Sequence, residues 1–338
     1  MNRFISRREF SSGLLGVAGT ILASRGVLAA QFELRQFHNQ PPDTPLHKRL
    51  VEMWAAVAEE SGGRIRVQTF ADNNQIAGGD PAALNMVVSG ELDFFTENGG
   101  SLGNLIPAMN VQGILFAFHS LAQVFETLDG DLGDHLRTEA TAKGLYVVPR
   151  GCFDNGLHQI TCATKPIRSV DDLQGLKMRT PDAAIYVEAW KAMGATPVVA
   201  NLNKLYETLK SGAAEAQTNP LAVAEFLKLY EVQKYVSITN HGWTGFNLVA
   251  NLKLWRSLPS DLQGIIERNV MKYARLQRAD NASLNSELRT KLAQRGMIFN
   301  EAETSSFRSR LGSYYAHWRG VVGEQAWSLL EGHVGKLG

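Results

Sequence analysis

From Phe32 onward, short apolar stretches alternate with stretches of helical period, an order that restricts the chain to folds in which helices cross between parallel strands. Phe32-Glu33-Leu34-Arg35 alternates as a half-buried strand. Leu46, Leu50, Met53, Trp54 and Val57 then mark one face of a helix that stops at Gly62-Gly63, and residues 64–67 begin a second strand. The pattern continues with a helix opened by Pro81 and ended at Gly90, a strand over 92–95, helices over 119–128 and 132–142, and a strand over 145–148. A second set follows: strands over 158–162, 177–179, 196–199 and 214–218, with helices over 169–173, 182–193, 204–211 and after Pro220. The fold class expected is therefore α/β with two lobes. Lobe I begins with residues 31–153, lobe II with 154–242, and residues 243–338 form a shared C-terminal part with a strand returning to lobe I. Gly and aromatic residues interrupt the pattern near 151–156 and 237–245, where the chain is expected to cross between lobes at a hinge. One helical pattern over 260–294 is long enough to brace both lobes.

The N-terminus reads differently. Arg3, Arg7 and Arg8 lead into a weakly apolar, Gly-rich stretch ending in Ala29-Ala30, the pattern of an export signal over residues 1–30. Ser6-Arg7-Arg8-Glu9-Phe10 fits the twin-arginine form, with a general secretory signal as the alternative, and a periplasmic location follows. The whole chain has a formal net charge of +1; without the signal's four Arg and one Glu it is −2, which gives no basic face for nucleic acid. The roughly 308 residues beyond the signal, in a chain 44% hydrophobic, exceed the usual single core, and no later apolar run reaches the length of a membrane span. Cys152 and Cys162 are the only cysteines, open to a disulfide in an oxidising compartment or to two buried thiols. The histidines lack paired ligand spacing, so no metal and no cofactor is expected, and the protein is expected to be a monomer.

Two constellations carry candidate chemistry. Gly99-Gly100-Ser101-Leu102-Gly103 matches G-x-S-x-G in form, which would make Ser101 the nucleophile of an exported hydrolase. The expected strand ends too early, at Phe95, and Pro107 arrives too soon for a nucleophile elbow. These glycines are better explained by close approach of backbone to a ligand. Arg179 ends a short strand before Thr180-Pro181, where open α/β lobes bind ligands, and a guanidinium grips a carboxylate through two parallel charge-assisted bonds. Asn219, at the next strand end, either donates to the same carboxylate or serves the turn before Pro220.

At these residues the chain resembles the DctP-type solute-binding subunits of TRAP transporters. The likeness lies in Gly175-Leu176-Lys177-Met178-Arg179-Thr180-Pro181, Gln217-Thr218-Asn219-Pro220, Tyr230-Glu231-Val232-Gln233-Lys234-Tyr235, Asp154-Asn155-Gly156 and the Gln75-Ile76-Ala77-Gly78-Gly79-Asp80 loop. The resemblance implies a two-lobed periplasmic-binding-protein fold that closes on its ligand, a carboxylate held by Arg179 with help from Asn219, and TRAP membrane subunits as partners. Sialic-acid-type members place a second arginine after the hinge Asn-Gly. Here His158 stands there, either as a ligand donor whose protonation would make affinity pH-dependent or as a structural residue. Position adds His38, Asn39, Gln75, Glu97, Asn98, Phe153 and Trp243 as cleft candidates. Glu97 would repel a dianion yet accept sugar hydroxyls, which points to a uronate or aldonate. Phe153 and Trp243 would instead sandwich an aromatic acid, unless they fill the hinge core.

Overall fold

A computed structural model of the chain describes residues 30–73 and 75–338. The export signal expected over residues 1–30 lies, but for Ala30, outside the described residues. Among the described residues eleven strands are formed: β1 Phe32–His38, β2 Ile65–Phe70, β3 Phe94–Asn98, β4 Leu145–Phe153, β5 Gln159–Cys162, β6 Lys177–Thr180, β7 Thr196–Val199, β8 Ala216–Asn219, β9 Tyr235–Ile238, β10 Phe246–Asn251 and β11 Ile298–Glu301. They divide into a five-stranded sheet, β2-β1-β3-β10-β4, and a six-stranded sheet, β11-β9-β5-β8-β6-β7. Each sheet is the floor of one lobe. Within each, parallel pairs come from crossover helices, while β10 and β5 run antiparallel to both neighbours.

Local chemistry explains the elements that position the cleft. In the Pro45–Glu60 helix, Thr44 caps the N-terminus, proline occupies the first turn, and Leu46, Leu50, Met53, Trp54 and Val57 form the buried face. The chain then turns through Gly62 and Gly63, both at positive φ. Several strands run further than expected, β1 to His38 among them. β3 continues to Asn98 and passes directly into the short Gly99–Leu102 helix. β4 continues through Pro149 to Phe153 because the chain accommodates the proline with a bulge: Arg150 takes φ 50° and the register with β10 shifts between Asn247 and Val249.

The chain passes from one sheet to the other three times, over 154–158, over 239–245 and along the Ser260–Gln294 helix. At 35 residues that helix is about 52 Å long. Its first half buries Ile265, Ile266 and Val270 in the lobe I core beside Trp54, Phe94 and Phe246. Near its end Leu292 enters the lobe II core beside Leu205, Leu229 and Val236. Between them the buried face turns polar at Gln277 and Asn281.

That polar stretch meets Asp154. Gln277 accepts from the Asp154 backbone N–H and donates to its carbonyl, each at 2.8 Å, and Asn281 Nδ2 donates to Asp154 Oδ2 at 2.6 Å. Trp243 Nε1 and the Gly156 N–H both donate to Asp154 Oδ1, at 2.9 and 2.8 Å. One carboxylate therefore ties both interlobe segments to the long helix. Arg278 adds a forked pair to Asp129 at 2.7 and 2.9 Å and lies over the Phe125 ring. Cys152 in β4 and Cys162 in β5 sit on different sheets as buried free thiols, so the alternative of a disulfide is not realised.

Replacing Asp154 by alanine would strand the Trp243 and Asn281 donors, at ~1–3 kcal/mol each. Asp154→Ala is expected to lower the thermal melting temperature by several degrees; an unchanged melting curve would show that the carboxylate does not hold the hinge.

Candidate functional site

The carboxyl ends of β1, β3, β6 and β8 converge on a cleft between the sheets. It holds two cavities that share Asp80, one of about 50 Å³ around Arg179 and one of about 230 Å³ lined by Glu97, Ser101 and Asn201 among others.

Arg179 is 2% exposed. Its Nε and Nη2 both donate to the Ala200 carbonyl, at 2.9 and 2.6 Å, which clamps the guanidinium plane. Burial pushes its pKa down to about 10, with the nearby Asp80 carboxylate countering, so it stays a cation at neutral pH. A buried guanidinium supported by a neutral carbonyl is a strong anion site, because a carboxylate would gain charge-assisted bonds in a poorly screened environment. Asn219, beside it on the cavity wall, donates one amide N–H to Gln217 Oε1 at 2.6 Å.

The lobe I side is acidic. Asp80 stands in the first turn of the Gly79–Ser89 helix, where the helix dipole favours it, and accepts from Asn39 at 2.9 Å and Asn73 at 2.7 Å. Glu97 is fully buried; it accepts from the Asn98 N–H at 2.9 Å and from Asn39 at 3.3 Å. Burial, reinforced by the Asp80 charge, holds its carboxyl well above the usual range.

Of the positions named from sequence, Arg179, Asn219, His158, Asn39 and Asn98 line the Arg179 cavity and Glu97 lines the larger one. The other four lie elsewhere. His38 ends β1 but is turned inward, with Nε2 2.9 Å from His47 Nδ1 and Nδ1 accepting from the Gln40 N–H. Gln75 is exposed on its loop, and Asp80 supplies the cleft group instead. Phe153 is wholly buried opposite Phe246 in the lobe I core. Trp243 is spent on Asp154 and packs edge-on against Phe125. These two aromatics fill the hinge and form no sandwich for a ring.

His158 contacts Thr218 Oγ1 through Nδ1 at 2.9 Å and Thr244 Oγ1 through Nε2 at 2.6 Å. Burial, with the nearby His241 and Arg179, depresses its pKa well below the ordinary value, which favours a neutral ring over the alternative of titration near neutrality. The glycines of the 99–103 segment also serve another purpose. A Cβ at Gly99 would meet Gln112, at Gly103 Asn110, and at Gly100 the Tyr186 ring, at 2.6 Å from Cε2. Tyr186 comes from the lobe II helix Ala184–Ala192, so Gly100 makes room for an interlobe contact and not for a ligand. Asn104 Nδ2 completes that contact by donating to the Asp182 carbonyl at 2.8 Å. Although β3 does lead into a helix here, Ser101 Oγ accepts from Asn98 at 3.0 Å and its N–H donates to Asn98, the bonding of a helix cap.

Sequence reasoning missed Tyr186, Trp190, Thr218, His241 and Thr244 as wall residues. Asn155 and Asp80 stood inside recognised motifs, whereas nothing in the residues around His241 signals that its ring faces the cleft. Among the described residues no cluster of His, Cys, Asp and Glu gathers for a metal ion, and no helix is long and apolar enough to cross a membrane.

The family model for bacterial extracellular solute-binding protein, family 7, matches residues 37–320. The chain belongs to this family. Among its relatives is the 2,3-diketo-L-gulonate-binding periplasmic protein YiaO of Escherichia coli, 26% identical over 88% of this chain and 90% of that one. The C4-dicarboxylate-binding periplasmic protein DctP of Rhodobacter capsulatus is 25% identical over 93% and 92%. A TRAP periplasmic solute-binding protein from Chromohalobacter salexigens, solved with bound D-glucuronate, superposes with a TM-score of 0.83 at 26% identity, covering 89% of this chain and 98% of that one. This family 7 chain is thus a DctP-type TRAP solute-binding protein with the two-lobed binding-protein fold.

Two predictions follow from the geometry. Gly100→Ala would set a methyl against the Tyr186 ring and hinder closure; ligand affinity is expected to fall at least tenfold in calorimetry with each lobe still folded, and undiminished affinity would rule the contact out as part of the closed state. His38 and His241, both held at about 3 by burial, and His158 should show no ring titration by NMR between pH 8 and 5. Their folded pKa values lie below the unfolded value of about 6.5, so the stability they contribute is present above that pH and is lost as the pH falls toward 3. A ring titrating near 6.5 would contradict the burial argument.

Proposed function

We propose that this protein is the periplasmic receptor for a hydroxylated monocarboxylate, a uronate or aldonate, which it delivers to the membrane subunits of a TRAP transporter. The observation that carries the reading is Arg179: a clamped, buried guanidinium near a strand end, facing a cleft whose acidic groups are Asp80, Glu97 and Asp182. A monoacid satisfies both sides, because its carboxylate meets Arg179 and Asn219 while its hydroxyls donate to Asp80 and Glu97. A C4-dicarboxylate would bring its second charge toward those carboxyls. The diketogulonate and glucuronate named for two relatives belong to the same chemical class. That Phe153 and Trp243 are buried in the hinge weighs against an aromatic acid.

In this reading the protein acts by binding alone. Ligand bridges the lobes and stabilises the closed state by contacts that the open state lacks. Ser101 takes no part in hydrolysis, residues 1–30 direct export by the twin-arginine route, and the receptor works as a monomer.

The test is calorimetry and thermal shift of residues 31–338 against uronates, aldonates, C4-dicarboxylates, aromatic acids and neutral sugars. Sugar acids are expected to bind at micromolar affinity or better, about −8 kcal/mol, and to raise the melting temperature. Arg179→Ala is expected to weaken binding at least 100-fold while leaving the fold intact. Equal binding of neutral sugars, or near-normal affinity in the variant, would overturn the assignment.

A further inference from the structure

Six side chains at and behind the wall of the Arg179 cavity form one unbroken hydrogen-bond chain. Asn155 Nδ2 donates to Thr244 Oγ1 at 3.2 Å, and Thr244 Oγ1 lies 2.6 Å from His158 Nε2. His158 Nδ1 lies 2.9 Å from Thr218 Oγ1, which lies 2.7 Å from His241 Nε2. His241 Nδ1 lies 2.6 Å from Thr239 Oγ1, which reaches the His158 backbone carbonyl at 3.5 Å. Asn155, His158, Thr218, His241 and Thr244 all line the cavity.

With both rings neutral, the Thr239 end sets the direction of every proton in the chain, because its hydroxyl goes to the His158 carbonyl and cannot also serve His241. At the other end Thr244 accepts from the Asn155 amide nitrogen, and because His158 Nε2 carries no proton in that order, Thr244 gives its own proton to it. His158 is then protonated on Nδ1 and donates to Thr218, whose hydroxyl donates to His241 Nε2. His241, protonated on Nδ1, donates to Thr239, whose hydroxyl ends on a carbonyl that can only accept. Both rings are neutral, in keeping with their burial. Each ring N–H and threonine O–H is used within the chain. What the histidines and threonines leave is one lone pair each on Thr244 Oγ1 and Thr218 Oγ1, with the second Asn155 N–H at the edge of this surface.

We propose that this histidine–threonine wall is an acceptor-only specificity surface that takes ligand hydroxyls and rejects a second carboxylate, making the receptor select aldonates and uronates over the matching aldarates. The inference rests on the sugar-acid reading above and adds its specificity determinant. A carboxylate set against lone pairs would be desolvated without a donor, a mismatch that discriminates far more strongly than a lost methylene.

The experiment pairs open-chain acids that differ only in the terminal group, gluconate with glucarate and galactonate with galactarate, in calorimetry on the wild-type protein at pH 7. In parallel, 15N NMR of the labelled protein reads the tautomers of His158 and His241. The expected result is a monoacid bound at least 100-fold more tightly than its diacid, with both rings neutral and protonated on Nδ1. Thr244→Val should weaken the monoacid about tenfold and Thr244→Ser should restore it. A diacid within tenfold of its monoacid, or either ring protonated on Nε2, would overturn the proposal while leaving the Arg179 carboxylate site standing. If no sugar acid of any kind binds, the receptor assignment falls and this inference with it.

Discussion

The clamp of Ala200 on Arg179 is the constraint around which the cleft is organised. A guanidinium removed from water without a carboxylate beside it is expensive, and the chain offsets part of that expense with two bonds to one carbonyl and the more distant field of Asp80. The carbonyl fixes the plane of the fork, so little side-chain entropy remains to be lost when an anion arrives. Asp80 is kept from closing a direct ion pair because Asn39 and Asn73 hold its two oxygens. Arg179 is therefore preorganised and electrostatically unfinished, the state in which a ligand carboxylate contributes most.

The hinge follows a different physical logic. The long helix is anchored by apolar packing at its two ends, in two separate cores, and by a polar knot on Asp154 where those cores part. Hydrogen bonds are directional, so the knot keeps the two crossing segments in register with the helix. Trp243 and Phe153 fill this junction: one supplies a donor to Asp154 and the other is buried at the end of β4 in the lobe I core.

Fold class was legible because it rests on periodicity. The face of the Pro45–Glu60 helix could be read residue by residue, and the long helix had no internal breaker. Strand ends were less legible. β4 runs through Pro149 because a bulge at Arg150, paired with β10 almost a hundred residues later, makes room for it, and a single-strand pattern contains no trace of that partner. The candidate site divides in the same way. Arg179, one residue before the end of β6, and Asn219, the last of β8, could be placed by the rule that ligands sit at carboxyl ends, but His38 ends a strand too and turns inward to His47. Which way an end residue faces is decided by its tertiary partners, and for His158, Thr218 and His241 those partners lie on three separate segments.

The glycines of the 99–103 segment show how closure and recognition are joined. A loop that must approach a ligand and a loop that must approach another lobe need the same residue, since both require the absence of a Cβ. Gly100 faces Tyr186, and Gly79, at φ +66°, leaves room for Asn201, whose Cγ would lie 2.9 Å from a Cβ there. Both partners belong to lobe II and also line the cavities, Tyr186 around Arg179 and Asn201 in the larger one. The same side chains thus seal the lobes together and bound the space left for ligand. A ligand too large for that space would hold Tyr186 away from Gly100, so fit is read as the completeness of closure, and only an acid that permits full closure gains the differential contacts that shift the population toward the closed state.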